Sequence, residues 1–168
     1  EEMIVLAIMS SENRAAAVLG RTYPGGTQQF VSAMNAQAAL LGMNNSNFAD
    51  PAGLEVSNTS TARDVMKLVR AASDYPLIHK ASTTTRIEVR PWKDRGPLVY
   101  GNTNRLLKNA SWTIELSKTG YLNEAGRCLA MLARIDGEPV TIVLLDSFGK
   151  LTPFGDSNRL RRWMLSGN

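Results

Sequence analysis

The chain has 168 residues, 43% apolar and 20% charged, with a net charge of +4. That is the composition of one ordinary globular domain with a real core. No apolar run reaches the ~18–20 residues of a membrane span. A nucleic-acid partner is not expected, because the basic residues are scattered and no aromatic stripe accompanies them. Their densest group, Arg159, Arg161 and Arg162, falls on a terminal helix, and the positive balance reads as an ordinary basic surface rather than an anion-seeking one.

Residues 1–9 read as a buried helix, Met3 to Met9 standing behind two glutamates. A core segment at the very start of a chain reads as a truncation. Ser10-Ser11-Glu12-Asn13 breaks the helix, and a short alanine-rich helix runs from Arg14 to Gly20. After the turn Tyr23-Pro24-Gly25-Gly26, Thr27 is predicted to cap a helix whose Phe30, Met34, Ala38 and Leu41 share one face, with Gly42 as its stop. Asn44 to Asn58 is a loop. Ser60 or Thr61 caps the next helix, with Val65, Leu68, Val69 and Ala72 as its inner stripe.

The second half changes period. Thr83 to Arg90 and Trp112 to Leu116 alternate like strands. Arg127 to Ile135 and Glu138 to Asp146 flank Asp136-Gly137, the strongest short-range hairpin signal, because both turn residues take positive φ. Val140 to Leu145 reads as a central strand. Asp156 or Ser157 is predicted to cap a last helix whose Leu160, Trp163 and Met164 face inward. The order, helices and then an antiparallel sheet and a closing helix, predicts an α+β domain. Its mainly helical part spans about 1–82 and its sheet part about 83–168.

Residue types limit the chemistry. Cys128, the only cysteine, lies in an apolar run and reads as a small core residue. His79 is the only histidine, which excludes a histidine-rich zinc site and leaves a Ser-His-Asp triad a single candidate. Neither metal nor cofactor is expected. Proton transfers would fall to lysine and hydroxyl groups.

Two short motifs remain. Ser11-Glu12-Asn13 sits between two helices, and Lys118-Thr119-Gly120-Tyr121 follows the strand-like run ending at Leu116. Alone, the first is an ordinary helix cap and the second a turn; Ser-x-Asn even recurs at Ser166-Gly167-Asn168. Together and in this order they resemble the second and third motifs of the penicillin-recognising enzymes, whose first is Ser-x-x-Lys. Longer stretches point the same way: Tyr23-Pro24-Gly25-Gly26, Pro51-Ala52-Gly53-Leu54, Ser60-Thr61-Ala62-Arg63-Asp64 and Asn102-Thr103-Asn104-Arg105-Leu106-Leu107. With them the chain, from about Met9 onward, resembles the low-molecular-weight D-alanyl-D-alanine peptidases, most closely the endopeptidases of the penicillin-binding protein 7/8 type.

The resemblance implies a β-lactamase/D,D-peptidase (transpeptidase-like) fold whose N-terminal strand and nucleophile helix are missing here. It implies a periplasmic serine-type endopeptidase acting on peptidoglycan cross-links through an acyl-enzyme, with β-lactams as covalent inhibitors. Ser11 would relay a proton to the leaving nitrogen and Asn13 would fix the substrate's peptide group. Lys118 and Thr119 would hold the carboxylate beside the scissile bond, Gly120 would admit the substrate backbone, and the Tyr121 N–H would donate to the oxyanion. The nucleophilic serine and its lysine are expected on sequence before Glu1. The only Ser-x-x-Lys, Ser147-Phe148-Gly149-Lys150, follows both other motifs and reads as a decoy. The chain alone is therefore expected to be inactive, and its exposed apolar faces to need the missing segment or another chain. The motifs serve a D-alanyl-D-alanine carboxypeptidase equally well. A non-catalytic wall-binding fragment is the alternative of another class.

Overall fold

The computed structural model describes residues 1–167. Helices α1 (Glu2–Met9), α2 (Asn13–Thr22), α3 (Gly26–Leu40), α4 (Ala62–Ala72) and α5 (Pro76–Thr83) come first. Strands β1 (Arg86–Val89) and β2 (Leu98–Gly101) form a two-stranded ribbon. A short 3₁₀ turn, Arg105–Lys108, leads into β3 (Thr113–Leu122), β4 (Gly126–Ile135) and β5 (Glu138–Ser147), and α6 (Thr152–Leu165) closes the chain. The larger sheet is antiparallel in the order β3-β4-β5. The α+β order expected from the sequence is the one observed.

Several local signals act as their chemistry requires. Thr61 caps α4 by accepting a hydrogen bond from the Asp64 N–H at 3.2 Å. Gly42 takes φ +70° just beyond α3. Asp136 and Gly137, at φ +53° and +82°, turn β4 into β5.

Other boundaries differ, each for a physical reason. Helix α3 starts at Gly26 behind Gly25, whose φ of +85° only glycine adopts freely, so Thr27 lies inside the helix. Helix α5 is not among the elements expected from the sequence; it begins on Pro76, whose fixed φ and missing N–H suit a first helical turn. Helix α6 likewise starts early, at Thr152, with Pro153 in its first turn and no side-chain cap, which places Asp156 and Ser157 in its interior. Its inner face is consequently Pro153, Phe154 and Ser157, with Asn158 accepting from the Trp112 indole N–H at 2.9 Å. Leu160, Trp163 and Met164, predicted inward, are 38%, 59% and 40% exposed. An apolar stripe on a helix does not say which neighbour covers it. Of the recurring Ser-x-Asn, Ser166 and Gly167 follow α6, and Asn168 lies outside the described residues.

Strand β5 was predicted central, yet β4 is the middle strand of the described sheet. Helix α6 and helix α4 cover opposite faces of that sheet. A strand covered on both faces reads as a continuous apolar run wherever it lies in the order.

The two faces carry separate cores. Toward α6 lie Trp112, Leu129, Met131, Ala133, Ile135 and Ile142, with Phe154 packed on them. Toward α4 and α5 lie Val69, Leu116 and Leu132, with Ala130 and Ile78 beside them. Ile114 packs on the first core and Leu116 on the second, although residues two apart normally share a face. A register shift between Ile114 and Leu116 resolves this: a bulge at Glu115 turns the rest of β3 over. From Leu116 onward the even-numbered residues, Lys118 and Gly120 among them, face the helical half. Ser117, Thr119 and Tyr121 face the α6 side.

In the helical half, the loop between α3 and α4 is held by buried carboxylate chemistry. Asp64 accepts from the Asn45 N–H at 2.8 Å, the Ser46 hydroxyl at 3.0 Å and the Lys67 ammonium at 3.0 Å. Burial pushes its pKa upward, but these hydrogen bonds outweigh that and hold it below the ordinary aspartate value. Asp50 binds the N–H groups of Ala52 and Leu54, both at 3.0 Å, and the Asn58 amide at 2.6 Å. That fixes the turn Pro51-Ala52-Gly53-Leu54, one wall of the site described next.

Candidate active site

The break after α1 is built unusually. Ser11 sits at φ +54°, a left-handed conformation that a non-glycine residue rarely holds unless its surroundings impose it. The Leu6 carbonyl imposes it by accepting from the Ser10 hydroxyl at 2.8 Å, the Ser10 N–H at 3.2 Å and the Glu12 N–H at 3.1 Å. Neither Ser11 nor Asn13 caps the following helix. Glu12 does, its carboxylate accepting from the Arg14 N–H at 3.2 Å and the Arg14 guanidinium at 2.7 Å. The guanidinium, with the backbone bond, outweighs a small effect of burial and keeps the Glu12 carboxyl below its ordinary value. The two polar side chains that would ordinarily cap a helix are thus released from capping and line the cleft beside the break.

Lys118-Thr119-Gly120 is not a turn. The three lie within β3, paired with Ala130, Leu129 and Cys128 of β4, well past the predicted strand end at Leu116. Because β3 is the outer strand of the described sheet, its free edge opens onto a cleft of about 580 Å³. The Lys118 ammonium crosses from this edge to the helical half and donates to the Ser11 hydroxyl, and to the Thr119 carbonyl at 2.7 Å. Ser11 and Lys118 are 107 residues apart in sequence. Asn13, Thr119, Gly120 and Tyr121 line the same cleft. All six residues singled out from the sequence therefore meet in one place.

Electrostatics at Lys118 are unusual. Both of its hydrogen-bond partners are neutral oxygens, and no carboxylate pairs with it among the described residues. Burial disfavours the charged form and pulls its pKa from 10.5 to about 8. A desolvated, unpaired ammonium in a cleft is poised to bind an anion and to exchange a proton near neutral pH.

Two glycines shape this edge differently. A Cβ at Gly120 would meet only the Cys128 Cβ at 3.7 Å, an ordinary contact, so sheet packing does not demand glycine there. The open side of Gly120 is the cleft. Gly126, at φ +62°, would put a Cβ 2.6 Å from the Asp146 Oδ1, so the start of β4 has room only for glycine.

Some residues fall elsewhere than the sequence suggested. Cys128 is not in the core; it is half-buried and lines the cleft, across the strand from Gly120, which has no side chain to cover it. His79 is on α5, exposed and outside the cleft lining. Ser147 ends β5 and Phe148-Gly149 bend away before Lys150, so that Ser-x-x-Lys lies on no helix, although Lys150 reaches the cleft. Thr103 was not assigned a role. Its hydroxyl lies 2.7 Å from the Thr119 hydroxyl and its N–H donates to the Met9 carbonyl at 3.2 Å, which ties β3 to the end of α1. The signal was present in Asn102-Thr103-Asn104: both asparagines fold their side chains onto nearby backbone, and only the threonine points to the site.

Comparison with known proteins gives the family. The chain is 50% identical to a D-alanyl-D-alanine endopeptidase of Pseudomonas aeruginosa over 166 residues, 99% of this chain and 54% of that protein. It is 49% identical to the D-alanyl-D-alanine endopeptidase of Escherichia coli, again over 99% of this chain and 54% of that protein. The chain thus spans about half the length of the curated relatives it matches. Its fold superposes on penicillin-binding protein D2 of Listeria monocytogenes in the cefotaxime-bound form, with a TM-score of 0.81 and 26% identity, over 96% of this chain and 64% of that one. The sequence model of the D-alanyl-D-alanine carboxypeptidase family matches residues 1–149, and it is to that peptidase family that the chain belongs.

Proposed function

We propose that this chain carries the proton-relay and anion-binding half of a serine-type D-alanyl-D-alanine endopeptidase that opens peptidoglycan cross-links through an acyl-enzyme. The observation that carries the reading is the Lys118 ammonium on the Ser11 hydroxyl, bridging sheet and helical half inside one cleft. Acyl transfer to a serine needs an activated hydroxyl, an oxyanion site and a proton for the departing amine. Ser11, both donor and acceptor, passes that proton to the leaving nitrogen, and Lys118 holds its hydroxyl in position. Asn13, free of capping duty, presents its amide to the substrate's peptide group. Lys118 and Thr119 bind the carboxylate next to the scissile bond, and Gly120 leaves the strand open to it. The backbone N–H of Tyr121 donates to the oxyanion.

In this reading the attacking serine and its partner lysine belong to the part of the full-length protein that this chain, spanning 54% of its curated relatives, does not include. The same reading has the working enzyme act in the periplasm, where its peptidoglycan substrate lies, with β-lactams as acylating inhibitors. The 49–50% likeness to proteins named as endopeptidases favours that activity. The family description favours the second reading, a carboxypeptidase. Both leaving groups carry a carboxylate for Lys118, so only substrates separate them. The full-length protein is expected to be labelled by fluorescent penicillin and to cleave a cross-linked muropeptide dimer faster than it releases D-alanine from a pentapeptide. Absence of labelling would remove the acyl-enzyme reading, and the reverse rate order would make it a carboxypeptidase.

A further inference from the structure

Beyond the groups used in acyl transfer, the cleft carries side chains that this chemistry leaves unused. After the bulge at Glu115, Lys118 faces the helical half, whereas Tyr121 and its cross-strand partner Arg127 face the α6 side. Lys150, ahead of α6, and Arg105, from the 3₁₀ turn, reach the cleft as well. Its lining therefore holds four cations, Arg105, Lys118, Arg127 and Lys150, and no carboxylate. None of the four makes an ion pair among the described residues.

Of the outer three, Arg127 alone stacks on an aromatic ring among the described residues. Its guanidinium lies 3.5 Å from the centre of the Tyr121 ring, a stacked arrangement that fixes the plane of the fork and leaves its edge N–H groups free. The ring is steadied in turn by its hydroxyl, 2.7 Å from the Asn123 carboxamide oxygen. Opposite Arg127, the β4–β5 register shifts and Asp146 takes φ +52°, a bulge of the kind that re-aims side chains beside active sites. A half-buried, pre-oriented guanidinium without a partner is built to take a carboxylate in bidentate fashion.

We infer that Arg127, stacked on Tyr121, is a specificity-determining residue that binds a second carboxylate of the peptide, so that the cleft selects leaving arms bearing more than one. This rests on the acyl-transfer reading above and refines its substrate. Free D-alanine carries only the carboxylate that Lys118 and Thr119 take. The leaving arm of a cross-link, a diaminopimelate joined into a second stem, carries at least one more. Arg127 therefore favours the cross-linked peptide over the pentapeptide tail.

The test uses the full-length protein, with kcat/KM measured on a cross-linked muropeptide dimer and on a disaccharide pentapeptide. Arg127→Gln is expected to lower the dimer-to-pentapeptide ratio about tenfold, the worth of one charge-assisted hydrogen bond, chiefly through KM on the dimer. Arg127→Lys should recover part of the ratio, which a role confined to packing on Tyr121 would not give. Fluorescent penicillin labelling of each variant reports that the acylating centre is intact. A ratio unchanged in a labelled Arg127→Gln variant overturns the inference and leaves the acyl-transfer reading standing. A wild-type protein that takes no label and cleaves neither substrate fails the parent reading, and this inference with it.

Discussion

Lys118→Ala in the full-length enzyme is expected to slow acylation by penicillin about 10²–10³-fold, the usual loss when one preorganised charge or donor leaves an acyl-transfer site. Ser11→Ala should fall in the same range, since proton transfer by a positioned group contributes about 10²–10⁴-fold. The size follows from the setting. The Lys118 ammonium is desolvated and unpaired, so water screens its charge less than that of a surface lysine. Ser11 is held at φ +54° by three hydrogen bonds to the Leu6 carbonyl, so water cannot easily replace its hydroxyl in the same place. Stopped-flow labelling of purified variants measures both rates. Losses below about threefold would mean that neither group participates.

The same burial makes Lys118 a burden on the fold. With its pKa at about 8 in the folded chain and 10.5 when free, the folded state binds fewer protons than the unfolded state between those values. Stability therefore rises with pH through that window, by about 3 kcal/mol in all. Below about pH 8 both states are protonated and the fold bears the full cost of the desolvated charge. Lys118→Met, which keeps the stem and removes the ammonium, is thus expected to be more stable than wild type at pH 7. The gap should narrow as pH climbs from about 8 to 10.5. Chemical denaturation of both proteins across that range measures it, and the difference between them cancels the other lysines and tyrosines. A variant less stable than wild type at every pH would show that the ammonium is held by a favourable partner instead. Together with the expected loss of acylation, this makes Lys118 a residue kept for chemistry against stability.

How much of this was legible in the sequence depends on whether a local signal had a local cause. Asp136-Gly137, Thr61 and Gly42 act within a few residues of themselves, and each did what its side chain or φ requires. Ser11, Asn13 and Lys118 to Tyr121 were found as words of a motif, not by geometry. Their local chemistry alone pointed to a cap and a turn, and both are absent. Glu12 took the cap, and pairing with β4 extended the strand through Lys118, Thr119 and Gly120. The bulge at Glu115 left no trace in the alternating pattern, yet it decides which side chains of β3 face Ser11. Arg127 and Cys128 were invisible as site residues because their placement depends on register with β3. The starts of α5 and α6 are marked by Pro76 and Pro153; the sequence reading has no helix at α5, and at α6 it favours a polar cap at Asp156 or Ser157 over the proline.

The central claim is that the Lys118 ammonium and the Ser11 hydroxyl work as a single unit across the cleft. A double-mutant cycle on the acylation rate of the full-length protein addresses it directly, because groups acting as one lose their function once. The expected result is that Ser11→Ala/Lys118→Ala is acylated no more than a few-fold slower than the worse single variant. If the two losses multiply instead, the contact exists without joint action, and the site as described is wrong.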